Sequence, residues 1–342
     1  PSTSESDQMN KVGVAIIGLG IGERHVWTYH KDPRCEVRWL LDHNNMKAKA
    51  LANETGAGVG SSYETILNDE NVQIVSIASF DDDHASQVLQ ALNAGKHVFV
   101  EKPLCQTMAQ LKEIYQAWSK HNGKLKLASN LILRVAPVYQ WLKEKVQAGD
   151  FGKIYSFDGE YLYGRLYKLT EGWRNEIENY SVIEGGGIHL IDLMLWLMNE
   201  RPTSVVSMSN RISTEGTKFR YNDFVASTLQ MGNGLICRIV ANFVSVHRHQ
   251  HVVRVYGTNG TFLYDDMGPR VHWSRDEDKK AEMLYMPTLP VDKGDLIPKF
   301  VSAVLEDEDI CEQTQATFDS LSISVACERA LITKGMETIG YL

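Results

Sequence analysis

The chain has 342 residues, a formal net charge of -8 at pH 7 and five widely spaced cysteines. That length is long for one hydrophobic core and suits two domains. The negative charge, with no Lys/Arg-rich run, argues against nucleic acid as a main partner. No apolar run approaches the length of a membrane span, and an odd number of cysteines without a C-x-x-C pair fits reduced thiols. We therefore expect a cytoplasmic protein that acts on neither nucleic acid nor membranes.

Residues 1–10 are polar and lack an apolar signal-peptide core, which predicts a flexible tail. From residue 12 to residue 128, short apolar runs of buried-strand type alternate with helical stretches. This alternation predicts βαβ units in a doubly wound parallel sheet. The predicted strands are 12–17, 37–41, 74–78, 98–100 and 125–128, and the predicted helices are 24–30, 45–55, 85–94 and 108–121.

The pattern changes from about Lys153 onward, where long alternating segments predict a large, open, mostly antiparallel sheet. Helices are predicted at 137–148, 188–198, 296–305 and 317–333. The fold class is therefore α/β, with an N-terminal Rossmann-type domain at 11–128 and an α+β domain at 129–342. The second domain is the candidate for substrate binding and for oligomer formation.

A glycine-rich turn follows the first strand, reading Gly18-Leu19-Gly20-Ile21-Gly22. Glycines let a backbone approach a pyrophosphate, whose charge then faces the N-terminus of the next helix. The third glycine comes one residue earlier than the G-x-G-x-x-G pattern expects, because position 23 is Glu23. The turn predicts a dinucleotide site at Gly18, Gly20, Ile21 and Gly22.

Asp42 ends the second predicted strand, where an acid can accept both hydroxyls of an adenosine ribose. It would repel a 2′-phosphate, so NAD is favoured over NADP. His43 and Lys47 are close enough in sequence to a 2′-phosphate to keep NADP possible. The alternative interpretation of Asp42 is a helix N-cap, a role that Asn44 or Asn45 could equally fill.

The chain resembles the glucose–fructose oxidoreductase / inositol dehydrogenase (Gfo/Idh/MocA) family along nearly its whole length. The most specific string runs from Ala94 through Gly95-Lys96-His97 to Glu101-Lys102-Pro103. Other matching segments are Gly18 to His25, Ser79 to His84, Trp173-Arg174, Gly185-Gly186-Gly187, His189 to Asp192 and Gly257 to Thr261.

The resemblance implies a nicotinamide cofactor and hydride transfer at a hydroxyl-bearing carbon of a sugar, cyclitol or related compound. It also implies a homodimer or homotetramer formed through the large sheet. It places Ser79, His84, Glu101 and Lys102 at the cofactor, and it makes Arg134, Trp173, Arg174 and Asp192 candidates for substrate binding.

Oxidation of a secondary alcohol needs a hydride acceptor beside the carbon and a base beside the hydroxyl. His189 is the candidate base, because an imidazole titrates near neutrality, and it follows a triple-glycine turn predicted to be flexible. Lys102 is the candidate electrostatic partner, presented by a turn that Pro103 stiffens. Asp192, three residues after His189, is predicted to bind a substrate hydroxyl or orient the histidine.

One position departs from the family. Its dehydrogenases usually carry an aspartate four residues before the histidine, and this chain has Gly185 there. Glu184 could substitute from one residue farther back. The departure keeps two alternatives open: an NAD-dependent oxidation–elimination enzyme acting on glycosides, or a non-catalytic NAD(P)-binding sensor.

Aromatic and histidine patterns complete the candidate features. Tyr161, Tyr163 and Arg165 alternate along one strand face, which suits a carbohydrate platform and equally a subunit interface. His247, His249 and His251 alternate too, but no carboxylate or cysteine cluster accompanies them. We therefore predict no metal site.

Overall fold

The computed structural model describes residues 10–342. The predicted N-terminal tail lies outside these residues, except for Asn10. The chain divides into two units. The first unit comprises residues 10–105, Ala109–Asn130 and Asp292–Gln315; the second comprises Gln106–Met108, Leu131–Val291 and Ala316–Leu342.

Ten α-helices and fifteen β-strands are formed by the described residues. The helices are α1 (Gly22–Lys31), α2 (Asn45–Thr55), α3 (Tyr63–Leu67), α4 (His84–Asn93), α5 (Met108–Ser119), α6 (Pro137–Gln147), α7 (Leu166–Thr170), α8 (Ile188–Met198), α9 (Ile297–Glu306) and α10 (Cys311–Thr333). The strands are β1 (Val12–Ile17), β2 (Cys35–Leu41), β3 (Gly58–Val59), β4 (Ile74–Ile77), β5 (His97–Val100), β6 (Leu127–Ser129), β7 (Ile154–Leu162), β8 (Pro202–Asn210), β9 (Phe224–Met231), β10 (Ile236–Asn242), β11 (Gln250–Gly257), β12 (Thr261–Tyr264), β13 (Arg270–His272), β14 (Glu282–Met283) and β15 (Glu337–Thr338).

The first unit contains a six-stranded parallel sheet in the order β3-β2-β1-β4-β5-β6. Every residue of β1 and β4 is buried, which explains why these strands read as continuous apolar runs rather than alternating ones. The strand order reverses between β1 and β4. Ligands of doubly wound sheets bind at such a reversal, outside the carboxyl ends of the strands.

Helix α9 belongs to the first unit, although the sequence placed residues 292–315 in the second domain. The reason is burial: Ile297, Phe300 and Val301 lie in the same hydrophobic core as Val26 and Phe99. The rings of Phe99 and Phe300 have centroids 5.5 Å apart. The first unit is therefore built from separate stretches of the chain, because residues 292–315 return to its core near the end of the sequence.

The second unit contains a nine-stranded sheet in the order β14-β13-β12-β11-β7-β10-β9-β8-β15. All its pairings are antiparallel except that of β7 with β10. One register row crosses seven strands with fully buried apolar side chains, and this row defines the core face of the sheet: Val205, Leu229, Cys237, Phe157, Val255, Phe262 and Val271. The predicted fold class is confirmed.

Helix α8 packs against this core face beside Gly159 of β7. A Cβ at Gly159 would lie 2.9 Å from the Cβ of Leu190, so the glycine is what allows the helix to approach so closely. Every residue of α8 except Trp196 and Met198 is buried. Such an all-round apolar helix is expected in the middle of a core. Gly159 thereby fixes where α8 presents its few polar side chains, which include His189 and Asp192.

The predicted elements of the first unit agree closely with the structure, as do most helices of the second. Strand 12–17 and helices 45–55 and 188–198 have the predicted bounds. The last helix is longer than predicted, because it begins at Cys311 rather than at residue 317. No helix within residues 10–342 is both long and apolar enough to cross a membrane.

Candidate functional site

The glycine-rich turn joins β1 to α1 in the first unit. Gly18 has φ of +84°, and a Cβ there would lie 2.5 Å from the carbonyl oxygen of Ala78. Both facts require glycine. Gly20, by contrast, has no atom within 4 Å of the position of a Cβ, so its exposed face borders open space. The turn therefore combines one glycine that the fold needs with one that leaves room for a ligand.

Gly22 is the third glycine of the turn, and its lack of a side chain allows α1 to pack closely against the sheet. A Cβ at Gly22 would lie 3.2 Å from Ala78 Cβ and 3.3 Å from Ile16 Cγ2. The third glycine of a dinucleotide turn serves this helix–strand approach, and here it sits one residue early because α1 begins at Gly22 itself. The helix N-terminus follows the turn directly, as an anion site requires.

Asp42 is bound to the glycine turn. Its Oδ2 accepts a hydrogen bond from the Leu19 backbone N–H at 2.7 Å, and its Oδ1 accepts one from the Asn44 N–H at 2.7 Å. The side chain of Asn44 caps α2 by accepting from the Lys47 N–H. The capping role thus falls to Asn44, and the Asp42 carboxylate, with two lone pairs on each oxygen, keeps acceptor capacity for a ribose.

Lys47 and His43, the two basic residues that could bind the 2′-phosphate of NADP, both contact other side chains. The Lys47 ammonium lies 3.2 Å from the Glu23 carboxylate, and the His43 ring is stacked with the Phe80 ring at a centroid distance of 6.3 Å. A 2′-phosphate would have to compete with Glu23 for Lys47. This arrangement favours NAD.

Lys102 follows β5 by two residues, with a cis peptide bond to Pro103 and a half-buried side chain. The preceding residue, Glu101, joins a buried chain of hydrogen bonds inside the first unit. His25 Nε2 lies 2.8 Å from Glu101 Oε1, and His25 Nδ1 lies 2.8 Å from Ser76 Oγ, to which Tyr29 donates at 3.2 Å. The turn that presents Lys102 is thus anchored to α1 and β4.

Asn130 is a further member of this chain that sequence analysis missed. Its amide nitrogen donates to Glu101 Oε1 and to the Lys293 carbonyl oxygen, both at 2.8 Å. Its buried Oδ1 has no hydrogen-bond partner within residues 10–342. Nothing in the local sequence marks Asn130, because its role arises only when β6 is placed beside β5.

Burial raises the pKa of Glu101, but the hydrogen bond and charge of His25, the hydrogen bond from Asn130 and the charge of Lys102 outweigh it. The pKa of Glu101 is therefore below its ordinary value of 4.5. A carboxylate with a lowered pKa stabilises the fold above the ordinary value, and this contribution is lost as the pH falls through the lowered pKa.

The His25→Ala variant is expected to lose about 3 kcal/mol of unfolding free energy, because it removes a fully buried ring and the partner of a buried carboxylate. Acid unfolding should also begin at a higher pH than in the wild type, since Glu101 loses its largest lowering interaction. Urea titrations at several pH values measure both effects. His30→Ala, an exposed histidine of the same helix, is the control and should change little. Equal stability of the two variants would contradict the anchoring role.

Ser79 and His84 connect two turns at the carboxyl ends of the parallel strands. The ring nitrogens of the buried His84 lie 2.6 Å from the Pro103 carbonyl oxygen and 2.9 Å from the Ser79 carbonyl oxygen. The Ser79 hydroxyl donates to Gln87 Oε1 at 2.5 Å. These contacts hold the turn after β4 against the turn after β5. A direct cofactor contact of either side chain stays a prediction.

His189 lies near the start of α8 in the second unit, buried among aromatic and imidazole rings. The Tyr161 ring is stacked with it at a centroid distance of 6.4 Å, and the His251 ring meets it edge-on at 5.7 Å. His249 lies 5.1 Å from His251 and 5.0 Å from Tyr161. We call Tyr161, Tyr163, His189, His249 and His251 the imidazole–tyrosine cluster.

The three alternating histidines separate in the structure. His249 and His251 join the cluster, whereas His247 bonds to the Asp266 carboxylate at 2.8 Å, which raises the pKa of its imidazole. Within residues 10–342, no three or more histidine, cysteine, aspartate or glutamate side chains are grouped so as to hold a metal ion. Sequence reasoning missed the link between His251 and His189, because it joins a strand to a distant helix.

Asp192 and Arg134 form a bidentate ion pair. Arg134 Nε donates to Asp192 Oδ2 at 2.7 Å, and Nη2 donates to Oδ1 at 2.5 Å. Arg134 lies on the 3-10 turn Ile132–Val135, and the Asp192 side chain is 1% exposed. The two predicted substrate-binding residues are therefore brought together. Such planar pairing orients the guanidinium, so the pair is well suited to hold a substrate hydroxyl in a fixed direction.

Trp173 and Arg174 lie on the 3-10 turn Trp173–Glu176. The Arg174 guanidinium is 4.4 Å from the centroid of the Trp173 ring and 5.6 Å from that of Tyr163, and its Nε donates to the Tyr180 hydroxyl at 3.2 Å. Arg174 is thus fixed beside the imidazole–tyrosine cluster. Tyr180 was not identified from the sequence, since no motif contains it.

The triple glycine is a buried π-helical turn, Ile183–Gly187, continuous with α8, rather than a flexible connection. A Cβ at Gly186 would lie 2.3 Å from the Tyr161 ring and 2.7 Å from the Phe243 ring. The turn requires glycine at this position because there is no room for a side chain, and not because the backbone must be flexible. Glu184, the suggested substitute acid, is buried in the same turn.

The first unit defines a dinucleotide-binding protein of the doubly wound class: a glycine turn with room above Gly20, a helix N-terminus and an acid at the end of β2 fit an NAD molecule. The chain belongs to the Gfo/Idh/MocA oxidoreductases. The family model described as "Oxidoreductase family, NAD-binding Rossmann fold" matches residues 12–129, and the model of the GFO/IDH/MocA C-terminal domain matches residues 139–263.

Relatives and solved structures agree with this assignment. An inositol 2-dehydrogenase of Salmonella typhimurium is 30% identical over 182 residues, which are 53% of this chain and 52% of the relative. The match thus spans about half the length of that curated relative. The structures of myo-inositol 2-dehydrogenase from Lactobacillus plantarum (TM-score 0.81, 21% identity, 96% of this chain and 100% of that one) and of scyllo-inositol dehydrogenase from Lactobacillus casei with NAD(H) and scyllo-inositol (TM-score 0.78, 18%, 96% and 99%) share the fold.

Proposed function

We propose that the protein is an NAD-dependent oxidoreductase that interconverts a secondary hydroxyl and a ketone on a sugar, cyclitol or sugar derivative. The observation that carries the proposal is the glycine turn bound by Asp42, since its fit to a dinucleotide is seen in this chain's own geometry. The inositol dehydrogenases among its relatives support the substrate class.

The cofactor supplies the hydride acceptor, and the chain must supply acid–base and electrostatic groups. We assign the proton transfer to His189. To Lys102 we assign the electrostatic stabilisation of the charge that develops on the substrate oxygen. In a substrate with two adjacent hydroxyls, the reacting hydroxyl loses its proton, whereas the neighbouring hydroxyl only has to be bound. The Arg134–Asp192 pair, a rigid donor–acceptor unit, is assigned to hold a neighbouring hydroxyl.

A thermal-shift panel of inositols, hexoses and sugar acids, each with NAD or NADP, tests the assignment. A compound that binds the folded protein raises its melting temperature, and turnover of the same compound produces NADH absorbance. We expect at least one polyol to do both with NAD. Cofactor retained through gel filtration without net NADH would instead indicate a closed oxidation–elimination cycle. NAD affinity with no turnover on the whole panel would indicate a non-catalytic NAD(P)-binding sensor, the alternative that Gly185 suggests.

The Asp42→Asn variant is expected to reduce the preference for NAD over NADP by about tenfold or more. The change removes the charge that would repel a 2′-phosphate while keeping one acceptor oxygen for the Leu19 N–H. Fluorescence titration with both dinucleotides measures the ratio of dissociation constants. Glu54→Gln, which neutralises an exposed acid in the last turn of α2, is the control. If Asp42→Asn leaves the ratio unchanged, the carboxylate does not select the cofactor.

We further propose self-association through the outer face of the nine-stranded sheet. Val206 and Met208 of β8 and Ile236 of β10 share this face and are 41%, 82% and 43% exposed. A group of exposed apolar side chains on one face can mark a protein–protein contact. Light scattering coupled to size exclusion is expected to give a dimer or tetramer, and a monomer at high protein concentration would contradict this.

A further inference from the structure

Gly185 is the position at which this chain departs from its family, and a specific atom occupies the space that a side chain would need. A Cβ at Gly185 would lie 2.1 Å from the Tyr180 hydroxyl oxygen and 2.8 Å from its Cζ. Two residues on, a Cβ at Gly187 would lie no closer than 3.4 Å to its neighbours, an ordinary contact. Thus Gly185 is glycine because a phenol fills its side-chain volume.

The phenol is held in place on several sides. Tyr180 is 4% exposed, and its ring packs edge-on against Phe219, Phe243 and Trp173 at centroid distances of 6.1, 6.3 and 6.4 Å. Arg174 Nε donates to its oxygen at 3.2 Å. In that bond the phenol is the acceptor, so its own proton is directed away from the guanidinium. A fixed guanidinium behind the oxygen also polarises the O–H bond.

The position of the phenol relative to His189 follows from the helix. Residue 185 lies on the π-helical turn that continues into α8, so the space at its Cβ site is about one helical turn before His189. Tyr161 connects the two, because its ring stacks on His189 and also limits the size of Gly186. Phe243 packs against both tyrosine rings, at 5.2 Å from Tyr161 and 6.3 Å from Tyr180.

We propose that Tyr180, backed by Arg174, is a substrate-contacting residue that takes the place of the missing carboxylate beside His189. The Tyr180 hydroxyl donates a hydrogen bond to the substrate oxygen whose proton moves to the His189 imidazole. The substrate O–H bond breaks, a C=O bond forms as the carbon loses its hydride to the cofactor, and Tyr180 keeps its own proton throughout. This inference rests on the proposed dehydrogenase function.

The exchange of an acid for a phenol changes the chemistry of the site in a definite way. A carboxylate accepts hydrogen bonds and favours the imidazolium, whereas a phenol donates to the developing alkoxide and adds no negative charge. The glycine therefore does not mark a lost site. It marks a site rebuilt from a different element, the segment that precedes the π-helical turn.

The test compares three variants with the polyol of the panel that has the highest kcat/KM. Tyr180→Phe removes one oxygen and is expected to lower kcat about 100-fold, while the melting temperature and the NAD dissociation constant stay near wild type. Gly185→Ala places a methyl group against the phenol oxygen and should lower kcat similarly by displacing it. Gly187→Ala, whose methyl group meets only ordinary contacts, is the matched control and should stay within about threefold.

The possible outcomes separate this inference from the function on which it rests. An active wild type with an equally active Tyr180→Phe variant overturns the inference alone. A Tyr180→Phe variant that loses melting temperature and NAD affinity together with kcat shows a structural role and also overturns it. A wild type that turns over no polyol overturns the proposed function and the inference together. A selective loss of kcat in Tyr180→Phe and Gly185→Ala supports both.

Discussion

The Lys102→Ala variant is expected to lose about 1,000-fold in kcat while its NAD dissociation constant changes less than about threefold. The ammonium is assigned to stabilise charge that exists only while the substrate hydroxyl becomes a ketone, and removal of one preorganised donor of this kind costs about 100- to 1,000-fold in rate. Steady-state kinetics gives kcat, and fluorescence titration gives the NAD affinity.

Two comparisons define what the Lys102 result means. Lys112→Ala, which removes an exposed lysine of α5 in the same unit, should leave kcat unchanged. Lys102→Arg keeps the positive charge but not the compact ammonium, so it should recover only part of the rate. Normal turnover by Lys102→Ala would remove this lysine from the chemistry.

The first unit could be predicted from sequence because its signals are local. Residues of one strand and one turn, such as Val12–Ile17 and Gly18–Gly22, carry the parallel sheet and the dinucleotide turn within a few positions of each other. The early third glycine was the one unclear point. Its explanation is that α1 begins at Gly22 and needs its small residue there, against Ile16 and Ala78.

Features that depend on distant parts of the chain were missed. Phe300 packs in the same core as Phe99, although it lies about two hundred residues later in the chain. Hydrophobic periodicity is a local pattern and cannot show that two such distant segments pack together. Asn130 and Ser76 meet His25 and Glu101 only after the sheet has formed. Tyr180 is the strongest case: the sequence showed that Gly185 lacked an acid, but not what filled the space.

The roles predicted for the polar site residues vary in how far the structure supports them. Asp192 and Arg134, both assigned to substrate, are found bound to each other, which turns two separate contacts into one rigid unit. His84 holds two turns together through both ring nitrogens. A residue type and its place in a motif predict that it belongs to a site; its partners decide what it does there.

Gly18 and Gly20 are two residues apart in one turn, but their alanine variants are expected to differ. Gly18→Ala should lower the stability of the fold, and Gly20→Ala should weaken NAD binding. Gly18→Ala forces a left-handed residue and a methyl group 2.5 Å from the Ala78 carbonyl oxygen, so the fold itself should lose about 3 kcal/mol or more. Gly20→Ala meets no protein atom within 4 Å, so the melting temperature should stay near wild type.

Gly20→Ala should nevertheless weaken NAD binding by about tenfold or more, because its methyl group projects into the space that the pyrophosphate needs. Thermal unfolding without ligand and calorimetric titration with NAD separate the two effects. Gly56, which follows α2 in the same unit, has φ of +78° but open space, and Gly56→Ala measures the backbone cost alone. If Gly20→Ala binds NAD as tightly as the wild type, the dinucleotide does not approach this turn, and the assignment of the first unit as the cofactor site is wrong.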